Sequence, residues 1–186
     1  MSKASELSRG VFVRYNGELA VVLELEHRTP GNLRAFYQTK FRNIKSGKLI
    51  EQRLRPDEDV EQVRVDVKVQ QFLYKDGGSI VCMDNETFEQ IYLQEDVLGD
   101  SLPFLKEGMN VTISFDGDNP IYAELPTVVE LEVTYTEPGM KGDTATRALK
   151  PATLETGAQI KVPLFINIGD KIRVDSRIGE YIERAK

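Results

Sequence analysis

Between Val11 and Glu26 two runs rich in β-branched and aromatic residues, VFVRY and LAVVLELE, meet at Asn16-Gly17. Both residues of that dipeptide tolerate the positive φ that a two-residue hairpin turn demands, so the stretch is constrained to an antiparallel pair. A second pair, FYQTKFRNI and LIEQRL, is joined by Ser46-Gly47-Lys48, and the acidic segment Pro56-Asp57-Glu58-Asp59 breaks the pattern. Residues 1–64 are therefore expected to form one small β-barrel.

A new β series opens with VRVDVKVQQFLY, where Val63, Val65, Val67 and Val69 alternate with polar residues at the period of a half-buried strand. SIVCMD follows after Lys75-Asp76-Gly77-Gly78. TFEQIYL, a short helix at 95–98, and then MNVTISF and IYAEL across the turn Asp116-Gly117-Asp118-Asn119-Pro120 complete an OB-like strand count for residues 65–127. Residues 128–186 start with VVELEVTYT, break at Glu137-Pro138-Gly139 and resume with AQIKVPLFI, KIRVDS and EYIER around glycine turns. The expected fold is all-β, three small barrels in series.

An apolar content of 40% with 29% charged residues fits a folded chain and excludes disorder. No stretch approaches the roughly 18 uninterrupted apolar residues of a membrane span, and MSKASELSRG carries no leader-like apolar run. Cys82 is the single cysteine and His27 the single histidine, so one chain cannot assemble a disulfide or a Cys/His zinc site. A cytoplasmic protein without membrane contact or cofactor is expected.

The net charge of -6 hides an internal dipole. Residues 1–55 carry eleven Lys/Arg against five Asp/Glu, net +6, while residues 56–128 carry four against sixteen, net -12. Residues 129–186 balance nine against nine. Either the basic end meets a polyanion while the acidic middle faces solvent or a basic protein, or the asymmetry only maintains solubility.

Catalytic motifs are missing: no Walker sequence, no Gly-x-Gly-x-x-Gly, no Gly-x-Ser-x-Gly and no His-Glu-x-x-His. His27 ends an apolar strand and reads as a structural or surface residue rather than a general base. Asp57 to Asp59 read as a solvated linker, Asp116 and Asp118 as turn chemistry rather than a metal site, and Cys82 as a buried, inert thiol. The segment Arg28-Thr29-Pro30-Gly31-Asn32-Leu33-Arg34 joins two long strands, and its Pro-Gly pair favours a type II turn. Either the segment is an ordinary hairpin connection, or, with Arg28, Arg34, Lys40 and Arg42 flanking it, its projecting tip is suited to RNA.

The block TYTEPGMKGDTAT, KPATLETGAQIKVPLFINIGD and GEYIERAK closely resembles the third domain of elongation factor P, and HRTPGNLRAF followed by KFRN resembles that family's Pro-Gly loop and its succeeding strand. The middle block matches more loosely. The resemblance implies a KOW-like barrel followed by two OB-fold barrels in an L shape, a monomer bound between the ribosome's peptidyl and exit sites and touching both subunits. It implies no catalysis by the factor. The first-domain loop, Pro30 to Arg34, would reach the CCA end of peptidyl-tRNA and favour a reactive geometry at consecutive prolines.

By the same resemblance Gly142, Asp143 and Thr144 would approach exit-site messenger RNA, Tyr181 and Arg184 would contact ribosomal RNA, and the acidic middle would lie near the large-subunit stalk protein. Most relatives place a modified lysine or arginine at the loop tip, whereas here Asn32 stands there, offering neither an amine nor a guanidinium. The expectation is an unmodified factor, with Asn32 hydrogen-bonding near the CCA end and Arg34 supplying the positive charge. Leu33 stands where the family has a second loop glycine, which should stiffen the tip.

Rival readings are an elongation-factor-P-like paralogue, a general single-strand RNA-binding OB protein, and a metal-dependent phosphoesterase. The second would use Phe72, Tyr74 and Tyr92 as stacking platforms, although core packing explains them better.

Overall fold

The computed structural model describes residues 1–31, 33–139 and 148–185. It is built from three antiparallel sheets. The first holds six strands, β1 (Ser2–Lys3), β2 (Phe12–Tyr15), β3 (Glu18–Arg28), β4 (Phe36–Asn43), β5 (Leu49–Leu54) and β6 (Asp59–Val63), in the order β1-β6-β2-β3-β4-β5. Asn16 (φ 51°) and Gly17 (φ 81°) make the β2–β3 turn, as their tolerance of positive φ requires. The acidic segment is no mere linker: Asp59 opens β6 and pairs with Lys3 at 2.8 Å. Inside lie Val13, Val22, Phe41, Leu54 and Val60, with Tyr15 stacked on Phe41 at 5.1 Å.

The second sheet runs β11-β10-β7-β8-β9, from β7 (Asp66–Asp76), β8 (Ser79–Asp84), β9 (Gln90–Gln94), β10 (Asn110–Asp116) and β11 (Asn119–Glu124). The valine run is split, since Val63 ends β6 and β7 begins at Asp66. Its expected phase also fails: Val67 and Val69 are exposed, and Gln70 and Phe72 take the buried side. The helix expected at 95–98 is a 3-10 segment extending over Glu95–Phe104, kinked at Gly99. Ile80, Cys82, Leu93, Val111 and Ile113 are fully buried. Burial pushes the Cys82 thiol up to about 11, which leaves it inert.

Tyr74 and Tyr92 are exposed, contrary to the core-packing expectation, while Phe72 is buried. A register shift between Phe72 and Tyr74 turns Tyr74 to the outer face, where its side chain hydrogen-bonds that of Tyr92.

The third sheet runs β14-β13-β12-β15-β16, from β12 (Val128–Thr136), β13 (Leu149–Leu154), β14 (Gln159–Pro163), β15 (Lys171–Asp175) and β16 (Glu180–Arg184). Strand β13 lies outside the sequence expectation, because Pro151 in its middle argues against a central strand. The ladder to β12 ends at the pair Thr136–Ala152, so the missing N–H of Pro151 does not interrupt it. Leu131, Val133, Leu154, Val162, Ile166, Ile172 and Val174 form the core.

By its internal contacts the chain forms two compact units, Met1–Val67 with Ser114–Tyr122, and Lys68–Ile113 with Ala123–Lys186. In the first, Tyr122 meets Phe12 edge-on at 5.9 Å. In the second, Ser176 Oγ donates to the Pro126 carbonyl at 2.7 Å, and Glu155 accepts from Lys106 Nζ at 3.0 Å and from the Glu132 N–H at 2.9 Å. Burial raises the Glu155 pKa, but these two donors outweigh it and hold the carboxyl below its ordinary range. Among the described residues no helix is long and apolar enough to cross a membrane.

Candidate nucleic-acid interface

Strands β3 and β4 outrun the core and form an arm. Their pairing continues from Ala20–Asn43 to Arg28–Phe36, and residues 26–31 are exposed throughout. A register shift between Val22 and Glu24 inserts Leu23 as an extra residue, which turns Glu24, Glu26 and Arg28 onto the face carrying Phe36, Gln38, Lys40 and Arg42. Opposite β4 the pairs Lys40–Glu51 and Gln38–Arg53 add β5 to that face. Arg28, Lys40 and Arg42 are thus brought together, joined by Arg53, whose guanidinium lies 5.1 Å from the Phe36 ring centre.

That face is not uniformly basic. Arg28 donates to Glu26 Oε2 at 2.7 Å, which raises its pKa above the ordinary value, and Lys40 lies 3.6 Å from Glu24. Glu24, Glu26 and Glu51 against four cations leave it nearly balanced. The lone histidine is accounted for on the opposite face, where the His27 ring lies 4.9 Å from that of Tyr37, its cross-strand partner.

At the tip the Leu33 N–H donates to the Pro30 carbonyl at 2.8 Å, and Gly31 has φ 40°. Gly31 thus supplies the positive φ that the Pro-Gly pair was expected to provide. Leu33 is 72% exposed. Arg34 is exposed and, among the described residues, makes no ion pair. Asn32 lies outside the described residues, as do Gly142, Asp143 and Thr144.

The other predicted pair lies on β16. In a regular strand Tyr181 and Arg184, three residues apart, would face opposite ways. Here the ladder pairs Arg173 with Glu183 and Val174 with Tyr181, leaving Ile182 as an extra residue. Tyr181 and Arg184 consequently share the face of Val174 and Ile172. Arg184 Nη2 donates to Asp170 Oδ2 at 2.7 Å and to the Phe165 carbonyl at 3.3 Å, and its guanidinium carbon lies 5.7 Å from the Phe165 ring centre. Tyr181 is half-buried, and that burial raises its pKa. Sequence reasoning missed Phe165 and Asp170; an aromatic at a loop start beside a glycine turn was the available signal.

Three family models match in succession: the elongation factor P KOW-like domain over residues 3–60, the elongation factor P OB domain over 65–123, and the elongation factor P C-terminal domain over 129–184. The chain is 48% identical over 187 residues to elongation factor P of Chloroherpeton thalassium, with all of both chains covered. It is likewise 48% identical over 182 residues to elongation factor P of Acidobacterium capsulatum, covering 98% of each. Among solved structures it is similar to eukaryotic translation initiation factor 5A from Methanococcus jannaschii, at 17% identity and a TM-score of 0.46 over 67% of this chain and 90% of that one. With three consecutive family domains and full-length relatives at nearly half identity, the chain belongs to the elongation factor P family of translation elongation factors.

Proposed function

We propose that this factor binds the ribosome between the peptidyl and exit sites as a monomer in the cytoplasm, and speeds peptide-bond formation at consecutive prolines. It catalyses nothing itself. Its part is to hold another catalyst's substrate in a reactive geometry, an entropic contribution that needs only well-placed binding groups.

The observation that carries the reading is the arm, which extends its tip away from the core and leaves Arg34 without an acidic partner among the described residues. In this reading residues 1–64 lie along peptidyl-tRNA with Pro30, Gly31, Asn32, Leu33 and Arg34 at the CCA end. Arg28, Lys40 and Arg42 contact its backbone, where phosphate contacts require no sequence information. Residues 65–127 face the stalk protein of the large subunit. Residues 128–186 reach the small subunit, with Gly142, Asp143 and Thr144 toward exit-site messenger RNA and Tyr181 and Arg184 toward ribosomal RNA.

The test is triproline synthesis in a reconstituted bacterial translation system, using factor made in a host lacking the enzymes that modify loops of this family. Acceleration is the expected result. No acceleration by folded protein would overturn the reading in favour of a paralogue with another ribosomal task. The same preparation from its native host is expected to show an intact mass equal to that of the sequence, because Asn32 offers no amine or guanidinium to modify. An added mass mapped to residues 28–36 would refute that.

A further inference from the structure

The end of the third sheet carries more than a tyrosine and an arginine. Phe165 lies just beyond β14 and is 60% exposed, a costly position for a ring unless something covers it. The Arg184 guanidinium lies over it at 5.7 Å, and only Nη2 of that guanidinium is committed, to Asp170 and to the Phe165 carbonyl. Its Nε and Nη1 hydrogen-bond to nothing among the described residues, leaving three N–H donors available. The nearby carboxylates are occupied: Asp170 Oδ2 also accepts the Asn167 N–H at 2.8 Å, and Glu183 takes Arg173 at 2.6 Å. The bulge at Ile182 puts Tyr181 on the same face.

We propose that Phe165 is the stacking platform of this cluster, receiving the base of an unpaired ribonucleotide while the free donors of Arg184 take its phosphate. The inference rests on the reading that Tyr181 and Arg184 face ribosomal RNA. A ring with an exposed face beside a partly uncommitted guanidinium suits one nucleotide: the ring supplies stacking on any base, and the fork supplies a charge-assisted pair to phosphate. Asp170 acts as a positioning residue, holding the guanidinium in place before the nucleotide arrives.

The chain contains no tryptophan, so Phe165→Trp places a single reporter at the site. Titrated with purified small ribosomal subunits, this variant is expected to lose fluorescence through stacking on a base. In ribosome-binding assays Phe165→Ala is expected to weaken affinity by about five- to a hundredfold, Phe165→Leu to behave like alanine, and Phe165→Trp to stay near wild type. Thermal melts of each free variant separate these effects from misfolding. A blue-shifted, unquenched emission would mean burial against protein and overturn the proposal. So would leucine matching tryptophan, or an undiminished Phe165→Ala beside a weakened Arg184→Ala, either of which would leave the RNA-facing reading of Arg184 standing. If neither Phe165→Ala nor Arg184→Ala weakens binding, that reading falls as well.

Discussion

Replacing Gly179 with alanine is expected to lower the free energy of unfolding by about 2–5 kcal/mol, against about 1–2 kcal/mol for the same change at Gly157. Both glycines occupy left-handed backbone, with φ of 69° and 84°. An added methyl at Gly157 meets nothing within 4 Å, so only the conformational cost applies. At Gly179 it would stand 3.0 Å from Cζ of Phe104, a ring only 6% exposed and unable to swing into solvent. Urea denaturation of the two variants measures the difference directly. Adding Phe104→Leu should recover the steric share at Gly179 and leave the conformational share. Equal losses at the two glycines would show that the ring yields.

The contrast bears on how far this fold could be read in advance. Turns were legible where asparagine or glycine supplies the positive φ, as at Asn16-Gly17 and Gly117, but not at Phe88, whose φ of 60° lies inside the run TFEQIYL read as strand, so that β9 begins only at Gln90. Strands with one wet face were legible too, such as β12, where Val129, Leu131 and Val133 alternate with polar residues. Some failures come from bulges. One extra residue reverses every side chain that follows it, and nothing local in the sequence announces the insertion. Thus Tyr74 reads as core and lies outside. Val67 and Val69 precede that bulge and face outward because Phe72, in phase with Gln70, takes the buried side. Strand β13 escapes for a different reason, since a proline is tolerated where the neighbouring ladder has already ended.

The candidate site was legible in its residue types more than in its pairing. Charge counting identified the basic end, yet could not reveal that Leu23 would carry Glu24 and Glu26 to the side of Lys40 and Arg28. The same kind of insertion at Ile182 joins Tyr181 to Arg184, a grouping that their spacing alone argues against. What survives the pairing is the tip. It follows that the cations of the arm are not equivalent.

Under the proposed function, in which Arg34 stands at the CCA end, reversing its charge is expected to slow triproline synthesis by about ten- to a hundredfold, the worth of one charge-assisted hydrogen bond. Arg28→Ala should cost only a few-fold, because Arg28 must leave Glu26 to reach a phosphate. Glu26→Gln should then strengthen ribosome binding, since the exposed pair it breaks contributes little to the free protein while its loss releases a cation. Rates measured across factor concentration divide these effects. A loss at Arg28 or Lys40 should vanish at saturation, as expected of uniform binding, whereas the loss at Arg34 should persist. Salt supplies an independent check: each phosphate contact removed reduces the slope of log affinity against log salt by nearly one. If saturating factor restores the Arg34→Glu rate to wild type, the tip arginine only anchors the arm, and the positioning of the CCA end must come from Asn32 and Leu33.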